Sequence, residues 1–159
     1  MSVAISADTA PSAESCNCYA VRAAARHVTQ YYDQFLAPTG LRIGQFGVLT
    51  RLKRIGPLTI SELAEKMAMD RTTLGRNILP LKRDGLVKIA PTASDRRAKE
   101  IRLTAAGDVC LHAARKRWQM AQAQFETSFG PDRAAELRTL LRTVVAMEPP
   151  LSAQLSEYR

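Results

Sequence analysis

The chain has 159 residues, 46% hydrophobic and 24% charged, with a formal net charge of +8. A chain of that length buries a core without disulfide or metal support, and no apolar run approaches the roughly 20 residues that cross a bilayer, which excludes a helical membrane protein. The charge is concentrated: between Arg51 and Glu100 twelve Lys/Arg face six Asp/Glu, the pattern of a polyanion-binding module set between near-neutral flanks.

Residues 1–14 are small and polar and lack the charged-then-apolar order of a secretory signal, so a flexible arm on a cytoplasmic protein is expected. Cys16, Cys18 and Cys110 are odd in number, and "CNC" has neither redox nor zinc-knuckle spacing. Only His27 and His112 remain as further soft ligands. No metal or cofactor is therefore expected, and reduced thiols are the default. From Cys18 onward, Val21, Ala25, Val28, Tyr32 and Phe35 follow in helical steps and predict a first helix of about twenty residues, broken at Pro38 and Gly40. A second helix is predicted from about Leu41 to Lys53, burying Phe46, Leu49 and Leu52.

Thr59 stands three residues before Glu62, a capping box, and Ile60, Leu63, Ala64 and Met67 give the apolar face of a short third helix. Asp70 is a good N-cap for "RTTLGRNILPLKRDG", which stops at Gly85. Two short helices with a brief break predict a helix-turn-helix. "LVKIA" and "KEIRLT" alternate in polarity and read as a hairpin joined by "PTASDRRA". Thr104 caps a long helix reaching Phe129, with Val109, Ala113, Trp118, Ala121 and Phe125 expected inward. A last helix carries Leu137, Leu140, Leu141, Val144 and Val145. The fold class expected is mainly α with a small β-wing: a winged helix-turn-helix over residues 41–103, flanked by N- and C-terminal dimerisation helices over 15–40 and 104–159.

At 100° per residue, Leu74, Ile78 and Leu81 share one side of the fourth helix, and Thr72, Arg76 and Arg83 the other. Arg71, Thr72, Thr73 and Arg76 are therefore the candidate DNA contacts: arginine pairs two parallel N–H donors with a guanine edge, and threonine reaches phosphates or a thymine methyl. Gly75, a poor helix residue, is explained either by a deeper seat in a groove or by a tight helix contact. A wing beside a helix in the major groove carries its tip to the adjoining minor groove, where arginine is favoured over A·T-rich sequence. Arg96 and Arg97 are the candidate probes, and Asp95 would brace Arg97 by a bidentate pair.

"SDRRAKEIRLTAAG" and "TISELAEKMAMDRTTLGRNILPLKRDGLV" resemble the wing and recognition segments of the MarR family of winged-helix regulators, and the resemblance runs from about Cys18 to Met147. It implies a homodimer held by the first and last helices, binding double-stranded operator DNA of pseudo-palindromic sequence, usually as a repressor. It also implies that Arg97 is the minor-groove arginine and Asp95 its brace. Cys18 and Tyr32 match positions of the family's organic-hydroperoxide-sensing branch, whereas Arg22 and Ile43 stand where that branch has tyrosines. Arg22, one turn after Cys18, would stabilise a thiolate. The other trigger implied is a small aromatic ligand, for which Arg26, His27 and Arg42 are candidate counter-charges. The function expected is a transcriptional regulator released from its operator by such a ligand or by oxidation of Cys18, and not an enzyme. A thiol-dependent peroxidase using Cys18, and a basic RNA- or protein-binding module, are the alternatives.

Overall fold

Apolar residues three and four apart build six α-helices among the described residues, and Cys16, Thr59, Asp70 and Thr104 cap four of them by a side chain. The computed structural model describes residues 15–92 and 98–147. The arm expected at 1–14, the wing tip with Asp95, Arg96 and Arg97, and residues 148–159 lie outside the described residues. Helix α1 spans Asn17–Leu36 and α2 spans Ile43–Ile55, with a short 3-10 turn at Ala37–Thr39 between them. Strand β1, Leu58–Thr59, leads into α3, Ile60–Lys66, and then α4, Arg71–Arg83. The hairpin is β2, Val87–Pro91, and β3, Lys99–Leu103, followed by α5, Ala105–Phe129, and α6, Pro131–Ala146.

The predicted caps are present. Thr59 and Glu62 close the capping box of α3, and Asp70 accepts from the Thr73 amide at 2.8 Å at the head of α4. At the foot of α4, Gly85 takes φ 71°, while the Leu86 amide bonds the Leu81 carbonyl and the Gly85 amide the Lys82 carbonyl. That double closure is the usual glycine-terminated helix end and turns the chain sharply into β2. Helix α4 runs through Pro80, whose missing N–H leaves the Arg76 carbonyl without its intrahelical donor.

The sheet is antiparallel in the order β1–β3–β2, with Ile101 between Leu58 and Ile89. Sequence reading did not anticipate β1. Two residues are too few to show a period, and only pairing with Ile101 and Glu100 makes them a strand. The core lies in the lobe, where Leu49, Leu63, Leu74, Leu81, Val87 and Leu111 are fully buried.

Long helices depart from expectation in which faces they cover. In α5 the inward stripe is Gly107, Leu111, Ala114 and Ala121, with Trp118 and Phe125 half-buried; Val109 is 73% exposed and Ala113 is exposed too. Small residues mark the packed side because α5 lies close against α1 and α2, so the bulkier Val109 misled the reading. In α1 only Tyr32 and Leu36 are buried, and in α6 Leu140, Leu141, Val144 and Val145 are all exposed.

Candidate nucleic-acid interface

Leu74, Ile78 and Leu81 anchor α4 in the core, at 3% exposure or less. Because they occupy one side, Thr72 and Arg76 project the opposite way and Thr73 flanks them, while Arg71 lies nearer the buried side and is exposed because it is the first residue of α4; all four are exposed. Arg71 and Arg76 have no ion-pair partner among the described residues. Their charge is thus free for an external anion. Arg83, on the same side, is paired with Asp84 at 2.9 Å and is a weaker candidate.

Thr73 differs from its neighbours. Its hydroxyl donates to Asp70 Oδ2 at 2.6 Å while its amide donates to Oδ1. These two bonds, the hydroxyl first, hold the Asp70 carboxyl below its ordinary pKa. Thr73 therefore completes the cap of α4, leaving Thr72 as the unengaged hydroxyl. Gly75 also resolves: a Cβ there would meet nothing within 4 Å, so the tight-contact explanation is withdrawn.

The wing is the β2–β3 hairpin of the sheet. Its register runs from Val87 opposite Leu103 to Pro91 opposite Lys99, and Thr92 donates to the Ala98 carbonyl at 2.9 Å. Residues 93–97, with Asp95, Arg96 and Arg97, join those two ends. At the root of the wing, Thr104 Oγ1 accepts from the Gly107 amide and donates to the Gly85 carbonyl at 2.7 Å. One hydroxyl thereby ties the end of α4 to the start of α5.

The sensing candidates are not gathered within one chain. Cys18 and Arg22 are exposed in the first turns of α1, and Tyr32, on the same helix, stands about 21 Å further along at 1.5 Å per residue. Tyr32 is buried and donates to Gln122 Oε1 at 2.6 Å; burial first, and Glu126 second, raise its phenol above the ordinary value. The Cys110 thiol is pushed up by burial. Among the described residues, no three His, Cys, Asp or Glu side chains group as a metal site, and no helix is long and apolar enough to cross a membrane. Two surface grooves are present. One, of about 370 Å³, is lined by Lys53, Asp108, Val109, Leu111, His112 and Arg115. The other, of about 500 Å³, lies beside Asp33 and Arg42. Of the expected counter-charges, Arg42 borders the second of these grooves, and Arg26 and His27 border neither of the two.

Comparison with known proteins bears on the family and the fold. Residues 41–99 match the MarR family model. An HTH-type transcriptional repressor of Pseudomonas putida, IacR, is 27% identical over 114 residues, 72% of this chain and 66% of that protein. An uncharacterized HTH-type transcriptional regulator of Bacillus cereus is 31% identical over 103 residues, 65% of each. The chain thus spans just under two thirds of the length of these curated relatives. The crystal structure of the Mycobacterium tuberculosis transcriptional regulator MosR is 36% identical, with a TM-score of 0.72 over 85% of this chain and 99% of that one. MosR in complex with DNA is 39% identical, with a TM-score of 0.70 over 82% of this chain and 97% of that one. The helix-turn-helix, the hairpin beside it and these relatives together show that the chain belongs to the MarR family of winged-helix transcriptional regulators.

Proposed function

We propose that the protein is a cytoplasmic homodimeric repressor that binds double-stranded operator DNA, with α4 in the major groove and the tip of the wing in the adjoining minor groove. The observation that carries this reading is the division of α4 into a buried side of Leu74, Ile78 and Leu81 and an opposite, exposed side with Thr72 and Arg76, where Arg76 has no ion-pair partner among the described residues. A similar regulator, MosR, has been crystallised with DNA, which supports the same use of the lobe here. Helices α1, α5 and α6 form the dimer region, since the apolar face of α6 is otherwise uncovered. A two-fold pair of α4 helices fits half-sites one helical turn apart.

Two triggers of release are supported by different observations. Exposure of Cys18 favours oxidation, in which its thiol takes one oxygen atom from an organic hydroperoxide, forming a sulfenic acid and releasing the alcohol. The other is a small aromatic carboxylate in the groove where Val109 and Leu111 offer apolar lining and Arg115 a counter-charge, Lys53 there being paired with Asp108 at 2.8 Å. Either favours a dimer whose recognition helices are wrongly spaced, and about 1.4 kcal/mol of such bias weakens binding tenfold.

The test is titration of the full chain against promoter DNA flanking its own gene, with and without cumene hydroperoxide or salicylate. Arg97→Ala is expected to weaken operator binding sharply while leaving dimer and fold intact; unchanged affinity argues against the wing assignment. A peroxide response that survives Cys18→Ser ends the thiol reading. Equal affinity for single strands and palindromic duplex at matched salt would favour a general polyanion-binding module.

A further inference from the structure

The outward side of α4 is not uniformly polar. Leu79 is 67% exposed, more than any other large apolar side chain described between Leu41 and Leu103. At 100° per residue it lies about 20° from Thr72 and about 60° from Arg76, and nearly opposite Leu81. Leu79 is therefore an apolar group on the face assigned to the duplex, and reading the sequence by polarity passed it over.

One turn earlier on the same face is Gly75. Helical side chains lean toward the N-terminus over the preceding turn, which directs Leu79 toward Gly75. Yet a Cβ built at Gly75 would meet nothing within 4 Å, so no described side chain fills that space. Other helical glycines have packing reasons: at Gly44 a Cβ would stand 2.6 Å from Asn77 Oδ1, and at Gly107 it would strike the Leu86 carbonyl. Gly75 has none. Glycine is among the least favourable helix residues, and an exposed leucine gains nothing within its own chain. A glycine that is unfavourable in a helix and an exposed leucine thus meet on one face, beside Arg76, which has no ion-pair partner among the described residues. Their shape is a shallow notch with peptide backbone as its floor and a leucine side chain as its wall.

We propose that Gly75 and Leu79 form a notch that reads the C5-methyl of a thymine in each half-site. The proposal rests on the seating of α4 in the major groove given above. On the major-groove edge of the base pairs the thymine methyl is the apolar group, beside hydrogen-bond donors and acceptors. The notch offers it contact and no hydrogen bond, while Arg76 holds a guanine edge or phosphate alongside.

The experiment uses the full chain and the palindromic duplex it selects from a randomised pool. Each thymine is replaced in turn by deoxyuridine, which removes the methyl alone. Wild-type protein is expected to show one position per half-site where the replacement weakens binding about fourfold, and about fifteenfold when both half-sites are changed. Leu79→Ala and Leu79→Gln should weaken binding to the thymine duplex and abolish the thymine–uracil difference. Gly75→Ala should do the same while raising the thermal midpoint, as a glycine-to-alanine change on an open helix face does. Arg76→Ala should weaken both duplexes equally and keep their ratio. Indifference of the wild type to every replacement, or an unchanged ratio in the Leu79 and Gly75 variants, overturns the notch alone. Full operator affinity in Arg76→Ala overturns the seating of α4 and the notch with it.

Discussion

Thr104 and Gly107 show how two small residues join the winged-helix lobe to the long helix. The hydroxyl of Thr104 caps α5 and holds the Gly85 carbonyl, and Gly107 lets the first turn of α5 lie against the Leu86 carbonyl. Gly107→Ala is therefore expected to lower stability by about 1–3 kcal/mol, as overpacking against backbone does, seen as a fall in the urea midpoint. Gly75→Ala, with open space around it, should raise that midpoint; equal effects at the two sites would contradict the contacts described. The sequence showed both glycines in helices but not which one was crowded, because the Leu86 carbonyl is brought to Gly107 by the turn after α4. Asp70 was legible as a cap from residue type and spacing. That its carboxylate also takes the Thr73 hydroxyl was not, and this moves Thr73 from direct contact toward support of α4.

At the scale of elements, caps and breaks placed the helix ends because they are local chemistry: a hydroxyl or carboxylate meets amides of the same turn. The Asp70 and Glu62 carboxyls are both held below their ordinary values, Asp70 by the Thr73 hydroxyl first and Glu62 by the Thr59 amide first. A depressed folded-state pKa contributes stability above the unfolded value that is lost as pH falls through the folded one. The stability of the lobe followed from pH 6 downward should thus begin to fall as pH approaches the ordinary values of 4.5 for Glu62 and 3.8 for Asp70 and go on falling below them, and Asp70→Asn should flatten part of that decline. Strand β1 escaped detection because its evidence is its partner, β3. The join of α1, α5 and α6 is likewise tertiary: Tyr32 donates to Gln122, and Gln122 and Arg138 both donate to Glu126. Tyr32→Phe should cost about 1 kcal/mol in urea unfolding, the usual net value of one such bond. The raised phenol pKa keeps that donor in place at neutral pH; its contribution is lost only as pH rises past the ordinary value of 10.0 and through the folded one.

On the scale of the whole molecule, the cations of α4 without ion pairs among the described residues fit the proposed DNA contact, and the exposed apolar residues of α6 fit the proposed contact with a second copy. Leu141→Asp combined with Val145→Asp is expected to yield monomers in sedimentation, with the lobe still folded by circular dichroism and operator affinity greatly reduced. A dimer that persists in this variant would move the contact away from α6. Several steps of this arrangement followed from the sequence: a basic central third, a helix-turn-helix and a hairpin, in that order. The inward faces of α1, α5 and α6 followed only in part: Tyr32 and Ala121 are buried as expected, but the small Gly107, Ala114 and Ala134 carry no hydrophobic contrast, and the larger Val109, Leu140 and Val145 are exposed in a single chain.

The sequence by itself determined the helices, their caps and the outward side of α4, because each depends on residues within one or two turns of one another. Only the tertiary structure decided that Gly107 is crowded and Gly75 open, that β1 completes the sheet, and that the Tyr32 hydroxyl is committed to Gln122. Those outcomes depend on groups far apart in the chain, whose approach is set by how the buried faces of several elements pack together.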